Sequence, residues 1–197
     1  MPVHAYTNWN KRESDHEEQV EPFRKYFFIC EGANTETFYF KKLIDLRKEL
    51  GIHPLIDIRL WEKTGQDKDI FEEKVQGYDE LIEQIEESDI AAVTNPGFEL
   101  FLLLHIDGSY EQYILGHEIE FLTQDEKGSY SHAYKVLHDV TGMNAKRNPM
   151  IGDLAENVLS AISQEKKINQ DIHHCKGVVT SNIGSVIESI MNEKPKI

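Results

Sequence analysis

A short apolar run near the start of the chain, residues 26–30, constrains the fold most strongly. A run with no polar alternation is typical of a buried strand. Residues 34–36 follow with helix-capping side chains, and apolar residues at mostly helical spacings continue to about residue 50. Residues 54–61 then alternate apolar and polar side chains, as a second strand does. Strand, helix and strand in this order predict parallel pairing through a right-handed crossover.

The rest of the chain continues this alternation briefly and then becomes mainly helical. Residues 70–87 have the pattern of a solvated helix, residues 90–94 that of a short third strand, and residues 98–105 that of an apolar helix. Beyond these we predict helices near 110–123, 130–140, 150–168 and 183–192, and a brief strand at 178–180. The predicted fold class is α/β, with a small parallel sheet flanked by helices and a mostly helical C-terminal part.

We expect three parts: a mobile N-terminal arm at residues 1–24, an α/β core at 25–108, and a helical region at 109–197 packed on that core. The arm is charged and has no apolar segment of the kind found in signal peptides. No apolar run reaches the roughly 18–20 residues that a membrane-spanning helix needs. The two cysteines, Cys30 and Cys175, form neither a disulfide framework nor a zinc knuckle. These features favour a cytoplasmic protein with no membrane contact.

The net charge of −14 limits the ways in which this chain can bind nucleic acid. Indiscriminate binding to a polyanion requires a basic surface, which this composition argues against. A nucleic-acid enzyme is not excluded, because a carboxylate site that holds Mg²⁺ is itself acidic and the metal supplies the positive charge.

The first candidate for chemistry is Glu31, which follows the first predicted strand and precedes Gly32. In open α/β sheets, ligands bind beyond the carboxyl ends of the strands, so a carboxylate here can meet a metal or a phosphate. The alternative is a solvated acid with no function. Local sequence alone favours this second interpretation.

The second candidate is the segment of residues 95–105, NPGFELFLLLH. Glu99 and His105 are polar groups in an otherwise apolar helix, and burying either without a partner costs several kcal/mol. We therefore expect Glu99 to be substantially buried and paired, with the Glu31 turn or with backbone amides. The alternative is a core helix with an acid near its N-terminus, where the helix dipole favours it.

Both segments resemble motifs of the RloB-like family. Residues 28–36 with Tyr39 and Phe40 are similar to the family's opening CEG-x-x-TE…YF, and residues 95–105 to its NP-x-FE-x-W-LLLH, with Phe101 in the place of the usual Trp. Residues 61–69 and 182–186 resemble two further family elements more loosely. The resemblance covers residues 25–192 approximately, which is most of the chain.

RloB-like proteins are found beside restriction and other anti-phage genes and resemble Toprim domains, whose acids hold Mg²⁺ for cutting or joining phosphodiesters. The resemblance implies a Toprim-like core. It also implies a nuclease that acts on DNA or RNA with Mg²⁺ or Mn²⁺ in bacterial anti-phage defence. A protein partner in a defence complex is a further expectation. We assign metal binding to Glu31, Asp67 and Asp69, catalysis to Glu31, Glu36 and Glu99, and substrate binding to Asn34, Thr35, Asn95 and His105.

The sequence departs from the family at the D-x-D pair. Asp67 and Asp69 follow polar residues 64–66 rather than an apolar strand. If the pair binds metal, either the site is built from a loop or a strand is missing from this chain. The alternative is that the pair lies in a solvated loop and binds no metal. A degraded pair would favour a non-catalytic partner or sensor subunit. Residues 173–175 (HHC) are of metal-ligand type, but they lack the spaced partners that a tetrahedral site needs. The basic pair at residues 146–147 (KR) has solvated charge as its default interpretation.

Overall fold

The parallel strand pair predicted from the first apolar runs is present in the computed structural model, which describes residues 22–30, 34–61, 77–123 and 130–195. Strand β1 (Arg24–Ile29) pairs in parallel with β2 (Ile56–Trp61) along its whole length. Helix α1 (Thr35–Asp45), extended by a 3-10 turn (Leu46–Lys48), lies between them in the chain. The predicted fold class is confirmed: a small parallel sheet flanked by helices, with a helical C-terminal part.

The two faces of β1 differ, which the apolar run did not predict. On one face Phe28 stacks on Phe40 of α1, with ring centroids 4.6 Å apart. On the other face Phe27 is 51% exposed and Ile29 is 58% exposed. The prediction of a fully buried strand was therefore wrong. The physical reason is that side chains alternate along a strand, and α1 packs against only one of the two faces.

The remaining elements are mainly helices. They are α2 (Tyr78–Glu86), α3 (Phe98–Leu103), a π-helical turn (Tyr110–Ile114), α4 (Glu118–Leu122), α5 (His132–Thr141), a 3-10 helix (Pro149–Asn157) that continues into α6 (Val158–Glu165), a 3-10 turn (Ile172–His174) and α7 (Ile183–Asn192). Among the described residues, no helix has the length and apolar character to cross a lipid bilayer.

A second sheet differs from the expected continuation of the first. Strand β3 (Thr94–Asn95) pairs antiparallel with β4 (Thr180–Ser181). Of the strand predicted at residues 90–94, only Thr94 is in a strand. The backbone before it bonds to the Asn182 side chain instead of to a neighbouring strand. Asn182 Nδ2 donates to the Ala91 carbonyl at 2.8 Å, and the Val93 amide donates to Asn182 Oδ1 at 2.7 Å.

The core is centred on α3. Leu100, Phe101, Leu102 and Leu103 are all fully buried, as expected for a helix that is apolar on all sides. They belong to one apolar cluster with residues of α1, α5, α6 and α7. Both the predicted α/β core and the predicted helical region therefore contribute to the same packed interior.

A buried carboxylate holds the start of α7. Glu165 Oε1 accepts hydrogen bonds from the Ser181 hydroxyl at 2.5 Å and the Gly184 amide at 2.9 Å, and its Oε2 accepts one from the Ser185 amide at 2.8 Å. Burial raises the pKa of Glu165, although these three hydrogen bonds act in the opposite direction. The residue satisfies amides that the first turn of a helix leaves unpaired, so its role is structural.

Candidate functional site

A cleft of about 800 Å³ lies between β1, the start of α1, α2, residues 91–99 and α7. We call it the site cleft. Its volume falls within the range of about 300–1,000 Å³ that is usual for ligand sites. Most of its lining is apolar, with polar side chains concentrated where α1 and α3 begin. These polar and charged side chains include Asn34, Thr35, Glu36, Glu99 and Lys146.

The two carboxylates of the site cleft come from the two motifs singled out in the sequence. Glu36 lies in the first turn of α1 and Glu99 in the first turn of α3, and both are half-buried. A Cβ atom on Gly97 would lie 3.1 Å from Glu99 Oε2, so the Glu99 carboxylate turns back over residue 97. Within the described part of the chain we find no hydrogen-bond partner for it. We expected Glu99 to be substantially buried and paired. It is half-buried, and a partner in the Glu31 turn would lie outside the described residues.

A hydrogen bond between distant parts of the chain places a lysine on the lining of the same cleft. The Thr35 hydroxyl donates to the Ala145 carbonyl at 3.1 Å, and both residues are buried. This bond holds the turn after α5 against the start of α1, and the next residue, Lys146, lines the site cleft. Sequence reasoning missed this placement. The only local signal was the basic pair Lys146 and Arg147, whose default interpretation was solvated charge.

Tyrosines of α5 and its N-terminal flank lie beside this lysine. Tyr130 and Tyr134 stack with centroids 4.1 Å apart, and Lys146 Nζ is 5.7 Å and 6.0 Å from the two ring centroids. Burial raises the pKa of Tyr134, and the neighbouring Tyr130 and the Glu99 carboxylate raise it further. Glu99 and Lys146 of the site cleft therefore lie next to two stacked rings.

Two of the predicted substrate-binding residues lie away from the site cleft lining. Asn95 Nδ2 donates to the carbonyls of Cys175 and Val178, both at 2.8 Å, and so fastens the loop before β4. Asn95 lines a neighbouring pocket of about 540 Å³ instead. His105 lies in the core and is 1% exposed. The structure thus brings Asn34, Thr35, Glu36 and Glu99 together but separates them from Asn95 and His105.

The contacts of His105 define which ring nitrogen carries the hydrogen in its neutral form. Its Nδ1 lies 2.9 Å from the Phe101 carbonyl, and its Nε2 lies 2.9 Å from the Tyr39 hydroxyl. A carbonyl can only accept, so Nδ1 carries the hydrogen and Nε2 accepts from Tyr39. Burial lowers the pKa of His105 to about 4, although the hydrogen bonding to backbone carbonyls opposes this. The neutral imidazole is therefore a satisfied core group.

The three predicted metal ligands, Glu31, Asp67 and Asp69, lie outside the described residues. The described residues contain no group of three His, Cys, Asp or Glu side chains that could hold a metal ion. Glu36 and Glu99 have the oxygen ligands that Mg²⁺ prefers, but by themselves they do not complete a site.

The two histidines after α6 contact different carboxylates. His173 Nε2 lies 3.0 Å from a Glu86 carboxylate oxygen, and His174 Nδ1 lies 2.7 Å from Asp171 Oδ2. Cys175 is buried. The adjacent HHC residues thus face different partners rather than one ion.

Comparison of the chain with protein-family models, curated proteins and solved structures yields no match. The two motifs and the geometry of the site cleft therefore carry what can be inferred about function.

Proposed function

We propose that the chain is a metal-dependent nuclease that cuts DNA or RNA in bacterial anti-phage defence, with the reacting phosphate in the site cleft. One observation supports this proposal above the others: Glu36 and Glu99 come from two separate motifs and line the same cleft together with Lys146. A phosphodiester bears a negative charge, so a site for its hydrolysis needs a proton acceptor and a positive group side by side.

In the proposed reaction, a water molecule attacks phosphorus while one of the two carboxylates, Glu36 or Glu99, accepts a proton from it. The bond from phosphorus to the leaving sugar oxygen breaks, and that oxygen takes up a proton from solvent water, to which the carboxylate later returns its own. The Lys146 ammonium offsets the negative charge that grows on the phosphate oxygens. Asn34, which is exposed at the start of α1, offers an amide to the same phosphate.

Mg²⁺ or Mn²⁺ is part of the proposal through Glu31, Asp67 and Asp69. Such an ion, when bound, would stabilise charge on the phosphate. The described carboxylates do not form a metal site without further ligands. The roles of Glu36 and Glu99 are therefore tested separately from the role of the metal.

A non-catalytic partner or sensor of a defence complex is the second candidate. The observation in its favour is the predominantly apolar lining of the site cleft, including Ile82, Ile85 and Ile187. Such a surface suits binding of a protein or nucleotide without chemistry.

The decisive experiment is a cleavage assay on single-stranded and duplex DNA and RNA, with Mg²⁺, Mn²⁺ or EDTA. Replacing an acid–base group usually lowers the rate by a factor of about 10²–10⁴, and we expect this range for Glu36→Gln or Glu99→Gln. Glu120→Gln exchanges a carboxylate that is 53% exposed and does not line the site cleft, so it should cleave at the wild-type rate. Glu31→Gln, with EDTA, tests the metal.

Two outcomes would contradict the proposal. Wild-type rates in both Glu36→Gln and Glu99→Gln would remove the site cleft from the reaction. Absence of cleavage on all four substrates with either metal, in a folded protein, would favour the non-catalytic partner.

A further inference from the structure

We propose that Tyr130, Tyr134, Lys146 and Arg147 form a binding surface for single-stranded nucleic acid at the edge of the site cleft, with a base stacked on Tyr130 and a phosphate beside Lys146 and Arg147. We call these four residues the aromatic–cation shelf. The inference rests on the proposed function, because it names how a nucleic-acid substrate enters that cleft.

Tyr130 and Tyr134 form a stack that a nucleobase can extend. The rings of Tyr130 and Tyr134 are nearly parallel, with an interplanar angle of 16° and centroids 4.1 Å apart. Tyr134 is 5% exposed, whereas Tyr130 is 48% exposed. The inner ring is therefore fixed by packing and supports the outer ring. A nucleobase on Tyr130 would extend an existing stack.

The Lys146 ammonium group lies beside the tyrosine stack. Its Nζ is almost equally far from the two ring centroids, 5.7 Å from Tyr130 and 6.0 Å from Tyr134. Because the rings are only 4.1 Å apart, a cation at these distances lies alongside the stack and does not cap it. The face of Tyr130 that points away from Tyr134 is thus not covered by Lys146. A base stacked there with its phosphate directed toward Lys146 would make both contacts at once.

Two cations lie together at the start of α1 in an otherwise acidic chain. The chain carries a net charge of −14, yet two adjacent exposed cations, Lys146 and Arg147, follow the buried Ala145. The hydrogen bond from Thr35 to the Ala145 carbonyl fixes this turn at the start of α1. Lys146 belongs both to the shelf and to the lining of the site cleft. A strand bound on the shelf would therefore share Lys146 with the cleft that Glu36 and Glu99 line.

Single strands fit this surface better than duplexes. A base can stack on an exposed ring only when it has left its own stack, which loops and single strands allow. Two cations predict weak binding with a shallow salt dependence. With a slope of about −0.7 per phosphate for single strands, two contacts give a slope of about −1.4.

The test is fluorescence anisotropy with a labelled oligothymidylate and a labelled oligouridylate, in EDTA so that binding is measured without cleavage. Tyr130→Ala should weaken binding about fivefold or more, since stacking on one aromatic residue is usually worth at least that factor. Tyr130→Phe keeps the ring and should bind like wild type. Lys146→Ala should reduce the salt slope by about 0.7.

A matched control is present on another part of the surface. Lys167 Nζ lies 5.5 Å from the Tyr110 ring centroid, which gives a similar cation and tyrosine pair away from the site cleft lining. Lys167→Ala should leave binding unchanged. If Lys167→Ala weakened oligonucleotide binding as much as Lys146→Ala, the effect of both would reflect a general loss of positive charge. That result would overturn the proposed surface.

The remaining outcomes separate this inference from the proposed function. Equal affinity of Tyr130→Ala and wild type, or no binding of single strands by wild type, would refute the shelf even if Glu36→Gln had abolished cleavage. Binding that depends on Tyr130 without cleavage of any substrate would support the shelf and refute the nuclease. A single thymidine or uridine nucleotide that competes as well as the oligonucleotide would refute strand binding in favour of a nucleotide site.

Discussion

Acidification should destabilise this protein in part through His105. The imidazole is 1% exposed, and burial holds its pKa at about 4 instead of the ordinary 6.5. In the unfolded chain the same histidine binds a proton as the pH falls through about 6.5. The folded state resists protonation until about pH 4, so its stability relative to the unfolded chain decreases as the pH falls through this window.

The magnitude follows from the two pKa values. Each unit of difference corresponds to about 1.4 kcal/mol, so the interval from 6.5 to about 4 amounts to about 3 kcal/mol in the free energy of unfolding. Roughly 2 kcal/mol of this should be lost between pH 7 and pH 4.5. That is a large share of the roughly 5–15 kcal/mol by which domains are usually stable.

The assay is urea unfolding at pH 7 and pH 4.5 for wild type and His105→Gln. Glutamine does not titrate, but its amide can donate to Phe101 and accept from Tyr39, as the imidazole does. Glu165 acts in the opposite sense, because a raised carboxyl pKa makes the folded state bind a proton more readily. It is present in both proteins, so the difference between them isolates His105.

We expect wild type to lose about 2 kcal/mol more than His105→Gln over this interval. Equal losses in the two proteins would show that the folded state protonates His105 as easily as the unfolded chain does. That result would refute the buried, neutral imidazole.

Two glycines at close contacts give further predictions, both measured as the urea midpoint at pH 7. Gly152→Ala would place a Cβ atom 2.5 Å from the Phe38 carbonyl oxygen of α1, so we expect a loss of roughly 1–3 kcal/mol; a gain would refute the close packing. Gly184→Ala would place a Cβ atom 2.7 Å from Glu165 Oε2 and should cost a similar amount, and an unchanged midpoint would show that the carboxylate can move away freely. The control is Gly77→Ala, which meets no atom within 4 Å and should change stability by less than about 1 kcal/mol.

Local patterns predicted most of the elements and part of the site. The placement of Glu36 and Glu99 at the starts of α1 and α3 followed from residues a few positions away. The same patterns did not predict that Phe27 and Ile29 would be exposed on β1. Apolar character identifies a strand, but its burial depends on which elements cover each face.

The sequence by itself determined the parallel pair of strands and the helices that follow it, because capping and apolar periodicity act between residues close together in the chain. Only the tertiary structure decided which polar residues share a site. His105 and Glu99 belong to one apolar segment, yet packing against Tyr39 buries the first, and the second lines the site cleft. Lys146 reaches that cleft because Thr35 holds the turn before it across a long sequence separation. Such contacts form between distant residues, and no local pattern encodes them.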